Sequence, residues 1–113
     1  GHLAELCEGS GVNALIEYDK VPQIEGIDVY ISAGAIPGGT KRNWDSYGHK
    51  IEGLSNQHKM VLCDPQTSGG LLIAVKKGEE KEFLGKAEIH GLELEPIGET
   101  VERLEEGPYI CVT

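Results

Sequence analysis

The sequence predicts an α+β fold, a mixed β-sheet with helices packed on it. Three observations carry this. Apolar spacing switches along the chain between a period of two and a period of three to four, giving strand, helix, helix, strand, helix, strand, strand after an initial helical stub. Sixteen glycines cut the 113 residues into short elements and supply turns and close backbone approaches. The apolar share is 39% with only 5% aromatic, so the core must rest on Val, Ile, Leu and Ala, enough for one domain of this length.

Leu3, Ala4 and Cys7 stand at helical spacing and Gly9 and Gly11 supply a stop, so Leu3 to Glu8 reads as the last turns of a helix. Val12, Ala14, Ile16 and Tyr18 alternate, which predicts a strand over residues 12–18. Pro22 stands well to open a helix, and Ile24, Ile27, Tyr30 and Ile31 predict a short amphipathic one over Gln23 to Ala33, broken by Pro37-Gly38-Gly39. Thr40 to Gly48 is short and polar around Trp44 and Tyr47, with Thr40 a candidate N-cap. Lys50 to Leu54 carries no assignable pattern. Ser55 caps a brief helix through Leu62, although Met60-Val61-Leu62 suits a strand equally. After the polar turn Asp64 to Gly70, Leu71 to Val75 is apolar without alternation, which predicts a central strand buried on both faces. Gly78 to His90 reads as the longest helical segment: Phe83, Leu84 and Ala87 form its inner stripe, Glu82 and Lys86 pair at i, i+4, and Gly91 ends it. Leu92 to Ile97 alternates, but Pro96 demotes it to an edge or a bend. Val101 to Leu104 and Tyr109 to Val112 read as short strands around a hairpin-like turn at Glu105-Glu106-Gly107-Pro108.

Composition narrows the function classes. The formal charge of −9 opposes nonspecific binding to nucleic acid or to anionic membranes, so neither is expected as a partner. No stretch reaches the ~18 apolar residues of a membrane span, and no signal peptide is visible. Cys7, Cys63 and Cys111 are far apart among apolar neighbours, which fits small buried hydrophobes in a reducing compartment rather than a disulfide framework or a zinc site. The chain opens on Gly1-His2-Leu3 without Met, as if cut from something longer. A cytoplasmic fragment is the simplest expectation.

The histidines His2, His49, His58 and His90 show no metal-ligand spacing and none neighbours a nucleophile, so no catalytic residue and no metal ligand is expected in this chain. The acidic residues, many of them after Val75, suit a solvated face better than a catalytic carboxylate pair. Two segments rise above this background. Pro37-Gly38-Gly39-Thr40-Lys41-Arg42-Asn43 gathers two glycines, a hydroxyl, two cations and an amide, a grouping that can hold phosphate on consecutive backbone N–H groups; a helix stop followed by an N-cap explains it equally. Asp64 to Gly70 begins with an Asp-Pro turn, offers the Thr67 and Ser68 hydroxyls, and ends in Gly69-Gly70, which permits positive φ and close approach of another backbone; an ordinary strand-entry turn is the plain alternative.

Asp64-Pro65-Gln66-Thr67-Ser68-Gly69-Gly70-Leu71-Leu72 resembles the signature of the C-terminal domain of the selenophosphate synthetases (selenide, water dikinases). Gly1-His2-Leu3-Ala4-Glu5, Val21-Pro22, Pro37-Gly38-Gly39-Thr40 with Asn43, and Ile97-Gly98 match further family segments in the right order, so the resemblance spans nearly the whole chain. It implies a three-layer α+β unit, similar to the aminoimidazole ribonucleotide synthetase C-terminal domain and partly ferredoxin-like. It implies that residues 1–113 are the single C-terminal domain of a larger two-domain, dimeric enzyme, without its N-terminal ATP-binding domain. That enzyme converts selenide, ATP and water to selenophosphate, releasing AMP and phosphate.

The family's reactive Cys or selenocysteine, its Lys and its metal-binding Asp residues belong to upstream segments that this chain lacks. Cys7, Cys63 and Cys111 match none of those motifs. The implied fragment is therefore inactive alone and holds no cofactor by itself, ATP and Mg2+ being bound by the complete enzyme. Gly38, Gly39, Thr40 and Asn43, with Asp64, Gln66, Thr67, Ser68, Gly69 and Gly70, are the residues expected to face the nucleotide or selenium substrate, with Lys41 or Arg42 offsetting phosphate charge. Two alternatives stay open: the matching domain of a sister ATP-dependent enzyme of the same superfamily, or a non-catalytic binding module.

Overall fold

A computed structural model describes residues 1–113. The architecture is α+β, as expected: four strands form one mixed sheet, accompanied by five helices. Helix α1 (His2–Ser10) ends where Gly11 turns left-handed at φ 64° and returns its N–H to the Cys7 and Glu8 carbonyls. Strand β1 (Val12–Ile16) follows directly. A 3-10 turn (Tyr18–Lys20) leads to α2 (Ile27–Ser32) and α3 (Gly38–Tyr47), and a second one (Gly48–Lys50) to β2 (Ile51–Glu52). Helices α4 (Asn56–Leu62) and α5 (Glu80–Ile89) precede β3 (Gly98–Glu102) and β4 (Ile110–Val112).

The strand order is β2-β4-β1-β3, with β1 antiparallel to β3 and parallel to β4, and β2 parallel to β4. The core lies on one face of the two central strands. Ala14, Ile16, Ile110 and Val112 meet Ala4 and Cys7 of α1 there. All six are small or medium, so α1 lies close on the sheet, and burying each Ile or Val contributes about 1.5–3 kcal/mol. Gly98 opens β3 opposite Ile16, and a Cβ at that position would overlap the Leu15 carbonyl oxygen. The pairing of β1 with β3 therefore depends on the absence of a side chain there.

Leu71–Val75 is not a strand. Leu71 is 90% exposed, Ile73 50% and Leu72 41%. Both central positions are already filled, since β4 lies between β2 and β1, and β1 between β4 and β3. The apolar run reports a preference for leaving water, not the place where it does so. Nor do the last two strands form a hairpin, for β1 runs between β3 and β4.

The connection between them arches over the start of β1. The Arg103 guanidinium donates to the carbonyls of Gly107 (2.9 Å) and Pro108 (3.2 Å) and to Asn13 Oδ1 (3.0 Å), and it stacks on the Tyr109 ring. Asn13, buried on β1, donates to the Pro108 carbonyl (2.8 Å) and accepts the Leu104 N–H (2.9 Å). One amide side chain thus holds both ends of the arch. Asn13→Ala removes one of two donors to the part-buried Pro108 carbonyl and the acceptor of the Leu104 N–H and of Arg103, and an expected loss of about 2 kcal/mol in urea unfolding checks this.

Other expectations shift in detail. Residues 23–26 are irregular, and α2 covers only Ile27–Ser32 with no residue fully buried. Gly26 at φ 76° starts it, so Pro22 lies outside the helix. Thr40 is not an N-cap, because α3 already begins at Gly38 behind Pro37. That helix is as long as α5, ten residues each. Met60–Leu62 belongs to α4, whose Ser55 cap accepts the His58 N–H at 3.1 Å. Leu92–Ile97 forms no strand, in keeping with Pro96.

Candidate functional site

The two glycine-bearing segments meet. Pro37, at φ −60° and ψ 139°, delivers the chain into α3, and Gly39 in its first turn is buried against Pro65. A Cβ on Gly39 would stand 2.7 Å from Pro65 Cγ, inside any real contact. One turn later, Asn43 Nδ2 donates to the Cys63 carbonyl at 2.9 Å. The turn reaches that place because α4 ends there: the Cys63 N–H returns to Lys59 and the Asp64 N–H to Val61. Beyond it, the Gln66 amide donates to the Asp64 carboxylate, which folds the turn on itself.

This joint borders a crevice of about 530 Å³. Asn43, Asp64, Pro65, Gln66 and Thr67 line it from the joint, His2 and Glu5 from α1, and Ile16, Ile110 and Val112 from the sheet. Of the ten residues expected at a site, Asn43, Asp64, Gln66 and Thr67 therefore border one cavity. Gly38, Gly39 and Thr40 do not line it; Gly39 lies behind Pro65 and Thr40 is buried. Ser68, Gly69 and Gly70 continue the exposed turn beyond the lining. Neither Gly69 nor Gly70 has positive φ. The expected close approach of another backbone is not seen: a Cβ on Gly69 would come 3.2 Å from the Gln66 side chain of the same turn, and Gly70 faces open space.

Two contacts far apart in sequence fix α1 beside the joint. Tyr47 Oη donates to Glu5 Oε1 at 2.5 Å, and Lys50 Nζ to Glu8 Oε2 at 2.7 Å. The hydrogen bond to Glu5 raises the Tyr47 pKa above its ordinary value, and that to Glu8 raises the pKa of Lys50. Both groups therefore stay protonated at neutral pH. Tyr47, Glu5 and Pro65 escaped the reading from sequence. Gly38-Gly39 read as a helix stop or a phosphate-holding segment, nothing local named Pro65 as the neighbour of Gly39, and the Tyr47–Glu5 bond joins residues 42 apart.

Burial raises the pKa of all three cysteines, which are free. Each is a thiol at neutral pH and a poor nucleophile. Among the acids bordering the crevice, Glu5 and Asp64 are each engaged by a neighbour. What the crevice offers is shape, the Asn43 and Gln66 amides, the Thr67 and Tyr47 hydroxyls and an apolar base, without an activated nucleophile. No helix is long and apolar enough to cross a membrane.

The chain belongs to the family described as AIR synthase related protein, C-terminal domain, whose model matches residues 1–110. Within it, the chain is similar to proteins named selenide, water dikinase. It is 58% identical over 103 residues to that of Pseudomonas putida, a match covering 91% of this chain and 30% of the relative. The protein of Bordetella bronchiseptica is 56% identical over 101 residues, covering 89% and 29%. That of Pasteurella multocida is 49% identical over 110 residues, covering 97% and 31%. The chain thus spans somewhat under a third of the length of these curated relatives.

Proposed function

We propose that this domain supplies one wall of the active-site cleft of a selenide, water dikinase, which makes selenophosphate from selenide, ATP and water and releases AMP and phosphate. The joint carries the reading: Gly39 packed on Pro65, and Asn43 bonded to the Cys63 carbonyl, bring both family motifs to the edge of one crevice. The relatives' shared name supports the reaction. In this reading ATP and Mg2+ bind chiefly to an ATP-binding domain upstream, and the complete enzyme is a homodimer. In this reading the reactive groups belong to the rest of the enzyme, and the 113 residues do not turn over alone.

Within such a cleft, Thr67 and the Asn43–Cys63 joint orient substrate, and the apolar base excludes water. Negative charge spreads over the oxygens of a phosphoryl group in transfer, and fixed donors stabilise it at no cost in reorganisation. A complete polypeptide containing this domain is expected to form selenophosphate from selenide and ATP, followed by 31P NMR; release of AMP without a selenium–phosphorus product sinks the assignment and favours a sister enzyme. Thr67→Ala with Ser68→Ala is expected to lower turnover at least tenfold, equivalent to about 1.4 kcal/mol of transition-state stabilisation. Unchanged turnover and unchanged stability would leave the turn a purely architectural role.

A further inference from the structure

The first turn of α3 has donors with nothing to donate to. Pro37 caps the helix without a side-chain acceptor, and the Gly38 and Gly39 N–H groups meet no backbone carbonyl. The Thr40 hydroxyl is the independent sign: the residue is 3% exposed and its Oγ1 has no partner. Thr40 is the third residue of α3, so this unpaired hydroxyl belongs to the same first turn.

Charge then separates two neighbours that look alike in sequence. Lys41 is bound to Asp45 at 2.6 Å along the helix. Arg42 forms no ion pair, and its Nη2 stands 3.6 Å from where a Gly39 Cβ would be, folded back over the first turn. A guanidinium, two free amides and the positive end of a ten-residue helix converge in a chain whose formal charge is −9. We infer that this turn is a phosphoryl-oxyanion subsite, with Arg42 as its charged ligand, the Gly38 and Gly39 amides as its cradle and the Thr40 hydroxyl as a further donor. Lys41 is not part of it. The subsite rests on the dikinase reading for its purpose and lies across Pro65 from the crevice, so it suits the phosphoryl end of a nucleotide or a released phosphate.

Amide NMR on the 113-residue chain tests this, with inorganic phosphate in one arm, AMP in a second and chloride at matched ionic strength as reference. The expected result is saturable movement of the Gly38, Gly39 and Thr40 signals with phosphate or AMP and none with chloride. Response to AMP alone assigns the site to a nucleotide, and response to both assigns it to the phosphoryl group. Arg42→Ala is expected to weaken binding at least tenfold, Arg42→Lys by less, and Lys41→Ala by under twofold, each with an unchanged amide spectrum elsewhere. Movement scattered over the surface lysines, or equal affinity in Arg42→Ala, overturns the subsite. If that happens while a complete polypeptide still makes selenophosphate, the subsite falls and the dikinase reading stands. If the amides respond but no selenophosphate forms, the reverse holds.

Discussion

Gly53→Ala is expected to cost about 4 kcal/mol, the sum of left-handed strain and a backbone overlap. Gly53 follows β2 at φ 83°, and a Cβ there would overlap the Val112 carbonyl oxygen. That oxygen belongs to a central strand packed into the core, so it cannot yield without disturbing Ile110 and Val112. The melting temperature should fall by roughly 20 °C in a domain of this size. Gly91→Ala is the control. Its φ of 74° is similarly strained, but an added Cβ would meet nothing within 4 Å. Thermal unfolding of both variants separates strain from overlap, and equal losses would show that β2 does not lie against Val112 as described.

Gly39→Ala is expected to cost about 3 kcal/mol by overpacking against the Pro65 ring. The ring is rigid and Gly39 is held in a helix, so the two segments must separate. Pro65→Ala removes the obstacle, and the double variant should recover about 2 kcal/mol relative to the sum of the single losses, a coupling that urea unfolding measures directly. Additive losses would mean that the two motifs do not touch. Gly38→Ala, where a Cβ meets open space, should change stability by well under 1 kcal/mol. If the complete polypeptide makes selenophosphate as proposed, Gly39→Ala should also lower that activity, because the joint sets Asn43 and Thr67 at the crevice.

The sequence was most legible where a local rule suffices. Gly11 stops α1 because only a residue without Cβ turns left-handed freely, and Ser55 starts α4 because its hydroxyl meets a free N–H three residues on. The alternation from Val12 located β1, and the residues from Asp64 to Leu72 pointed to the family that residues 1–110 match. The candidate site was half legible. Asn43, Asp64, Gln66 and Thr67 do border one cavity, whereas Gly38, Gly39 and Thr40 lie behind Pro65 and Ser68 to Gly70 lead away.

The composition, the helix stops, the small-residue core and the family were determined by the order of residues alone, since each follows from chemistry within a few positions or from a motif read along the chain. Tertiary structure alone decided that β1 and β4 take the centre of the sheet while Leu71–Val75 stays outside it, that β3 and β4 flank β1, and that Gly39 meets Pro65. Apolarity states how strongly a segment avoids water, but which neighbour shields it depends on competition among all strands for two central positions, and that competition is settled only when the whole chain has packed.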